Sequence, residues 1–237
     1  MNKNILIILL LLLMGTEIAH AQYYNTQSDR ILYYEVRTGD TDKKHMEHSA
    51  IQQTTMRNDS IFITQNDFFP PISELIKDSL LVQRIIYANG ATIILLKDEE
   101  SEKGNLTRMI SSMMKEDNGD WKNRMVTTGS IRIALDDEKK KGEKIQTDKF
   151  VLQAGPLTIT TTLNGEYQGF ETVHTPAGDF NCLKITYKMK TKFFLFSETI
   201  QGIDWYAKDI GLVKREESNS KQKTKYTKIL SDMKRRL

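Results

Sequence analysis

Beyond its first two dozen residues, the chain alternates apolar and polar positions in a succession of short β-type runs. Ile31 to Arg37 (ILYYEVR) is predicted as a strand, and Ser60 to Thr64 (SIFIT) as another, after the turn pair Asn58-Asp59. Val82 to Ala88 and Ala91 to Lys97 flank Asn89-Gly90. Both of these residues tolerate the positive φ of a type I′ turn, so the two runs are predicted as a hairpin. Asn118-Gly119 and Asn164-Gly165 carry the same turn cue. Phe68-Phe69-Pro70-Pro71 should be irregular or an edge, because proline brings no N–H to a ladder.

The second half is strand after strand. Ser130 to Leu135 precedes a charged turn, Asp136 to Lys144. Phe150 to Gln153, Leu157 to Leu163, Tyr167 to His174, Phe180 to Lys188 and Lys192 to Thr199 follow, then Gly202 to Ala207 and Leu212 to Glu217. Lys223 to Met233 also fits a helix face through Tyr226, Ile229, Met233 and Leu237, but the short polar link Glu217 to Ser220 favours a strand. One segment departs from the period of two. Asn105 to Lys115 places Leu106, Met109, Ile110, Met113 and Met114 at helical spacing, with Asn105 as a cap. The predicted fold class is mainly β (α+β): a curved antiparallel sheet or open β-barrel with one helix against its concave face. No repeat and no linker rich in Pro, Gly or Ser divides it, so residues 22–237 are expected to form a single β-rich domain.

The first 21 residues follow a different logic. Lys3 is a short positive start, Ile5 to Met14 an unbroken apolar run of ten, and Ala19-His20-Ala21 supplies small residues at −3 and −1. This is the pattern of a signal peptide cleaved after Ala21, with the mature chain beginning at Gln22 in the periplasm or secreted. A spanning helix needs roughly 20 apolar residues, and Gly15, Thr16, Glu17 and His20 interrupt this one. No cysteine follows the apolar run to take a lipid, and no later stretch approaches spanning length. No transmembrane segment is expected after cleavage.

The remaining 216 residues bury about 70% of their unfolded surface, enough for a core without staples. Cys182 is the only cysteine, which rules out an intramolecular disulfide and reads as a small buried hydrophobe. The net charge of +3, with both signs mixed along the chain, gives no reason to expect a nucleic-acid partner.

Chemistry-bearing patterns are sparse. His45 and His48 stand at i, i+3 rather than the i, i+4 of helical zinc sites, and in a strand they point to opposite faces, so no metal is expected. Asp136-Asp137-Glu138 lacks the alternating ligands and glycine of a calcium loop. No nucleophile elbow or phosphate-binding glycine loop occurs, and no cofactor is implied. Acids stand beside aromatics at Asp204-Trp205-Tyr206 and Glu166-Tyr167, but nothing selects a catalytic pair. Phe193-Phe194-Leu195-Phe196 reads as a strand buried on both faces, or else as the wall of an apolar pocket or a lip that meets lipid.

One stretch carries a resemblance. Gly165-Glu166-Tyr167, Val173-His174-Thr175-Pro176-Ala177-Gly178-Asp179-Phe180, Cys182, Lys184-Ile185 and the later Asp204-Trp205-Tyr206-Ala207 with Gly211-Leu212-Val213-Lys214 form a pattern of about fifty residues. The pattern resembles an exported Bacteroides-type family of unknown function, similar to the TapB-like group. The resemblance implies a curved sheet like that of periplasmic lipoprotein carriers, and no established activity. The expected function is a non-enzymatic binding protein for a lipid-like or hydrophobic small molecule, with Met109, Met113, Phe193, Phe194, Phe196 and Trp205 as candidate ligand-binding residues. The alternatives are an interaction module partnered by an envelope protein, and a glycan hydrolase.

Overall fold

The computed structural model describes residues 22–39, 44–68, 80–102, 125–147, 149–154, 157–193, 195–219 and 224–236. Fourteen strands account for most of them: β1 (Arg30–Thr38), β2 (Lys44–Arg57), β3 (Ser60–Phe68), β4 (Leu80–Ala88), β5 (Ala91–Lys97), β6 (Met125–Thr128) and β7 (Ile131–Leu135), then β8 (Lys144–Ile145), β9 (Phe150–Ala154), β10 (Leu157–Thr175), β11 (Gly178–Phe193), β12 (Phe196–Ala207), β13 (Gly211–Asn219) and β14 (Thr224–Arg235). They make one sheet in the order β6-β9-β10-β11-β12-β13-β14-β1-β2-β3-β4-β5-β7, with β8 as an additional partner of β10. Every ladder is antiparallel, including those across the long hairpin β10–β11 and between β1 and β14.

The chain connectivity forces this sheet to roll. Its two ends, β6 and β7, are joined only by Gly129 and Ser130. Three Cα steps reach at most about 11 Å, whereas thirteen strands laid flat would separate the ends by about 58 Å. The edges therefore approach one another. No ladder joins β6 to β7, so the roll is open rather than a closed barrel. Gly129 makes the crossing at φ +76, and a Cβ there would run into the backbone carbonyl of Lys149.

Side chains fill the roll where its ends converge. Ile131, Ile133 and Leu135 of β7 pack with Phe150 and Leu152 of β9, Leu163 and Tyr167 of β10, and Leu183 and Ile185 of β11. The period of two is plain in β7, whose odd-numbered residues are buried and whose Arg132 is exposed. Each fully buried aliphatic side chain contributes roughly 1.5–3 kcal/mol. A second cluster includes Leu32, Val36, Cys182, Trp205 and Leu230; a third joins Ile51, Ile63 and Ile85. Residues 22–26 are threaded into this architecture. Tyr23 is fully buried, its N–H donates to Thr92 Oγ1 at 2.8 Å, and its hydroxyl donates to Asp137 at 2.7 Å.

The turn chemistry is realised at most of the expected places. Asn58 and Asp59 (φ 43 and 59) join β2 to β3, and Asn89 and Gly90 (φ 51 and 78) join β4 to β5. Pro176-Ala177 closes β10–β11 between the partners Thr175 and Gly178, with the Ala177 N–H donating to Thr175 Oγ1 at 3.1 Å. The ambiguous last segment is a strand.

Three expectations change. Asn164-Gly165 is not a turn: β10 runs straight through it for 19 residues, and its irregularity comes later, at Gly169 (φ 80). Lys192 to Thr199 is not one strand, because the chain reverses between Phe193 and Phe196, which pair with each other. Nor is that run buried on both faces: Leu195 is 86% exposed, Phe196 73% and Phe193 41%. The Asn105–Lys115 helix, Asn118-Gly119 and Pro70-Pro71 lie outside the described residues. Among the described residues, helix is limited to one turn at 99–102.

Candidate functional site

In the middle of β10 to β14 the register aligns Gly165, Tyr187, Gly202, Glu217 and Tyr226 in one row. Two of these are glycines for a steric reason. A Cβ on Gly165 would stand 2.7 Å from the Thr186 carbonyl oxygen and 2.8 Å from Ile145 Cδ1, and one on Gly202 would enter the Tyr187 ring. With only hydrogen there, the ring lies over Gly202 and the Tyr187 hydroxyl donates to Glu217 at 2.7 Å.

The next rungs run from Ile185 through Asp204 and Arg215 to Lys228. Asp204 is wholly buried. It accepts from Arg215 Nε at 2.8 Å and Nη2 at 2.6 Å, and from the Tyr206 hydroxyl at 2.9 Å. Lys228 pairs with Glu47 on β2 at 2.9 Å, and its ammonium lies 4.5 Å from the centre of the Tyr34 ring. Two ion pairs, each with a buried carboxylate, thus stand side by side.

Their electrostatics follow from burial and from each other. Burial disfavours the Arg215 charge, yet the Asp204 carboxylate and the tyrosines beside it hold the guanidinium pKa well above its usual value. Burial, and then the nearby carboxylates, push the phenols of Tyr187 and Tyr206 well above theirs. The network is satisfied within itself: each carboxylate oxygen of Asp204 has an Arg215 donor.

A groove of about 860 Å³ crosses this region. Three consecutive residues from each of five strands line it, 164–166, 186–188, 201–203, 216–218 and 225–227, together with Lys144 and Ile145. Side chains alternate between faces along a strand, so Glu166, Thr186, Lys188, Gln201, Ile203, Ser218, Lys225 and Thr227 form its walls, and the glycine–tyrosine row supplies backbone to the floor. Glu166 is engaged by Lys144 at 2.6 Å and Glu216 by Lys214 at 2.6 Å. Among the described residues, Lys188 and Lys225 have no carboxylate within ion-pair distance. The groove therefore combines aliphatic surface with two lysines that make no ion pair among the described residues.

The structure separates the residues singled out from sequence. Phe193 and Phe196 occupy the tip of the β11–β12 hairpin. Trp205 lies nine residues along β12, roughly 30 Å away at strand rise. Its indole N–H donates to Glu171 at 2.6 Å, and the ammonium groups of Lys184 and Lys214 stand 5.2 and 4.7 Å from its ring centre. That hydrogen bond first, and Lys184 next, hold the Glu171 carboxyl below the usual range. Met109, Met113 and Phe194 lie outside the described residues. His45 contacts Glu47 at 3.0 Å, whereas the His48 ring stacks on Phe68 at 4.5 Å. Among the described residues, no three His, Cys, Asp or Glu side chains converge as a metal site. Arg215, Glu217, Lys188 and Lys225 were not singled out from sequence; their place depends on register across five strands, which no local motif encodes.

Comparison with known proteins agrees with this architecture. Residues 134–230 match the family model described as DUF3108-like. That span contains β8 to β13, the glycine row and both long motifs. A crystal structure of a protein assigned as exported, with a YmcC-like fold, from Bacteroides fragilis superimposes with a TM-score of 0.59 at 17% identity, covering 91% of this chain and 100% of that one. One assigned as a lipoprotein, from Parabacteroides distasonis, gives a TM-score of 0.60 at 13% identity, covering 90% and 99%. At such identities the likeness is one of fold. No curated protein matches the sequence. The likeness to the TapB-like group rests on the motifs alone.

Proposed function

We propose that this chain is an exported, non-enzymatic binding protein whose ligand is amphipathic and lipid-like, carries an acidic group, and lies in the groove across β10 to β14. The observation that carries the reading is a groove of about 860 Å³ with Lys188 and Lys225 on its walls and, among the described residues, no carboxylate within ion-pair distance of either. Small-molecule sites usually occupy about 300–1,000 Å³ and combine apolar lining with a few placed polar groups. Ile203 and the aliphatic stems of the lysines would take the apolar part, and the ammonium groups the acidic end. The leader-like first 21 residues, and the exported and lipoprotein assignments of the two similar structures, support a place outside the cytoplasm.

Native mass spectrometry of protein purified without detergent from the cells that export it tests this. The expected result is a co-purifying acidic amphiphile, lost from the Lys188→Gln/Lys225→Gln double variant. Protein that carries no ligand and takes none up from an extract of envelope lipids would overturn the reading. A second reading, an interaction module of the envelope, draws on the packing of buried side chains of β7 against those of β9 to β11.

A further inference from the structure

The β11–β12 hairpin ends in a feature that the groove does not use. Phe193, Leu195 and Phe196 are exposed together at its tip, although large apolar side chains elsewhere in the roll are mostly buried. The β12–β13 ladder starts only at Ile200, so among the described residues the tip runs four residues beyond its β13 neighbour. Behind the tip, Lys188, Lys190 and Lys192 are exposed at alternate positions of β11 and therefore share one face. Their cross-strand partners are Gln201, Thr199 and Ser197 on β12, and Asn164, Thr162 and Thr160 on β10. None of these is acidic. The nearest acid on the hairpin, Glu198, pairs with Thr191 on the opposite face and accepts from Asn219 Nδ2 at 2.5 Å.

An apolar tip backed by a stripe of cations is complementary to one kind of surface. We infer that the β11–β12 tip docks on an anionic phospholipid bilayer, with Leu195 and Phe196 entering the headgroup boundary and Lys192 and Lys190 meeting lipid phosphates. The dimensions agree. Side chains of interfacial segments enter about 5–10 Å, and at roughly 3.3 Å per residue Lys192 and Lys190 stand within about 10 Å of the tip. That is about one Debye length in physiological salt, the range over which the surface potential acts. Lys188 lies further back, on the groove wall. Docking does not rest on the groove being occupied, and the residues that test the two are different.

A cysteine scan with an environment-sensitive dye reads docking at one residue. Cys182 is buried and its thiol is pushed up to about 12 by that burial, so a dye couples selectively to an introduced exposed thiol. The full chain carrying Leu195→Cys should show enhanced, blue-shifted emission with vesicles containing phosphatidylglycerol, and not with phosphatidylcholine alone. Adding Lys190→Gln/Lys192→Gln should lower vesicle affinity by at least about tenfold. A dye at Glu138→Cys, in the exposed turn beside β8, should stay unchanged. The inference is overturned if the Leu195→Cys emission does not respond, if it responds equally to neutral vesicles, or if the lysine substitutions leave affinity unaltered. A Lys225→Gln variant should still dock; loss of docking there would also overturn the inference.

Discussion

Asp204 is the residue whose environment admits least change. It is wholly buried and balanced by one bidentate guanidinium. Removing one partner of such a pair leaves an uncompensated buried charge, at a cost of about 3–5 kcal/mol. Arg215→Met should therefore lower the unfolding free energy read from urea titration by that much. The double variant Arg215→Met/Asp204→Leu should recover most of the loss, and a double variant no more stable than the single would show that the pair is not coupled. Cys182 gives a second test at this scale. Its native thiol should resist a disulfide reagent at pH 8 and react fully once denatured, and rapid reaction of native protein would contradict its burial.

Elements show what could be read from sequence and what could not. Asn58-Asp59 and Asn89-Gly90 were legible because a two-residue hairpin demands positive φ from both central residues, and both pairs have it. Asn164-Gly165 carried the same letters for another reason: Gly165 keeps the backbone clear of Ile145 and Thr186 inside a strand. A local cue cannot distinguish a glycine needed for its φ from one needed for its lack of Cβ. The candidate site was hidden similarly. Asp204 stood in a recognised motif beside Trp205, but its partner Arg215 is fixed by a register that shifts at a bulge between Trp205 and Tyr206. The apolar run at 193–196 suggested burial, and its place at a hairpin tip decided otherwise. Among the connections, Gly129 is the most constrained. Gly129→Ala should cost more than about 1 kcal/mol, since φ is positive and the Lys149 carbonyl occupies the Cβ position. Gly142→Ala, with positive φ but open space, should cost less in the same thermal melt.

At the scale of the molecule, the rolled sheet keeps several phenols in its interior. Burial, followed by neighbouring carboxylates, raises the pKa of Tyr23, Tyr187 and Tyr206, and burial first raises those of Tyr34 and Tyr226. A phenol whose folded pKa exceeds its unfolded value of about 10 favours the native state fully below pH 10, and that contribution is lost as pH rises above it. Urea midpoints should accordingly hold level to about pH 9 and fall steeply above pH 10; a midpoint unchanged at pH 11 would deny these burials.

The same roll lays an amphipathic groove over the glycine–tyrosine row of β10 to β14, and binding there is the central claim. Its most direct measurement is a titration with a fluorescent fatty acid. The chain should saturate at about one probe per molecule, and Lys188→Gln/Lys225→Gln should weaken binding by about tenfold or more, while Glu138→Gln changes nothing. A probe that does not bind, or that binds the lysine double variant as tightly as the wild type, would contradict it.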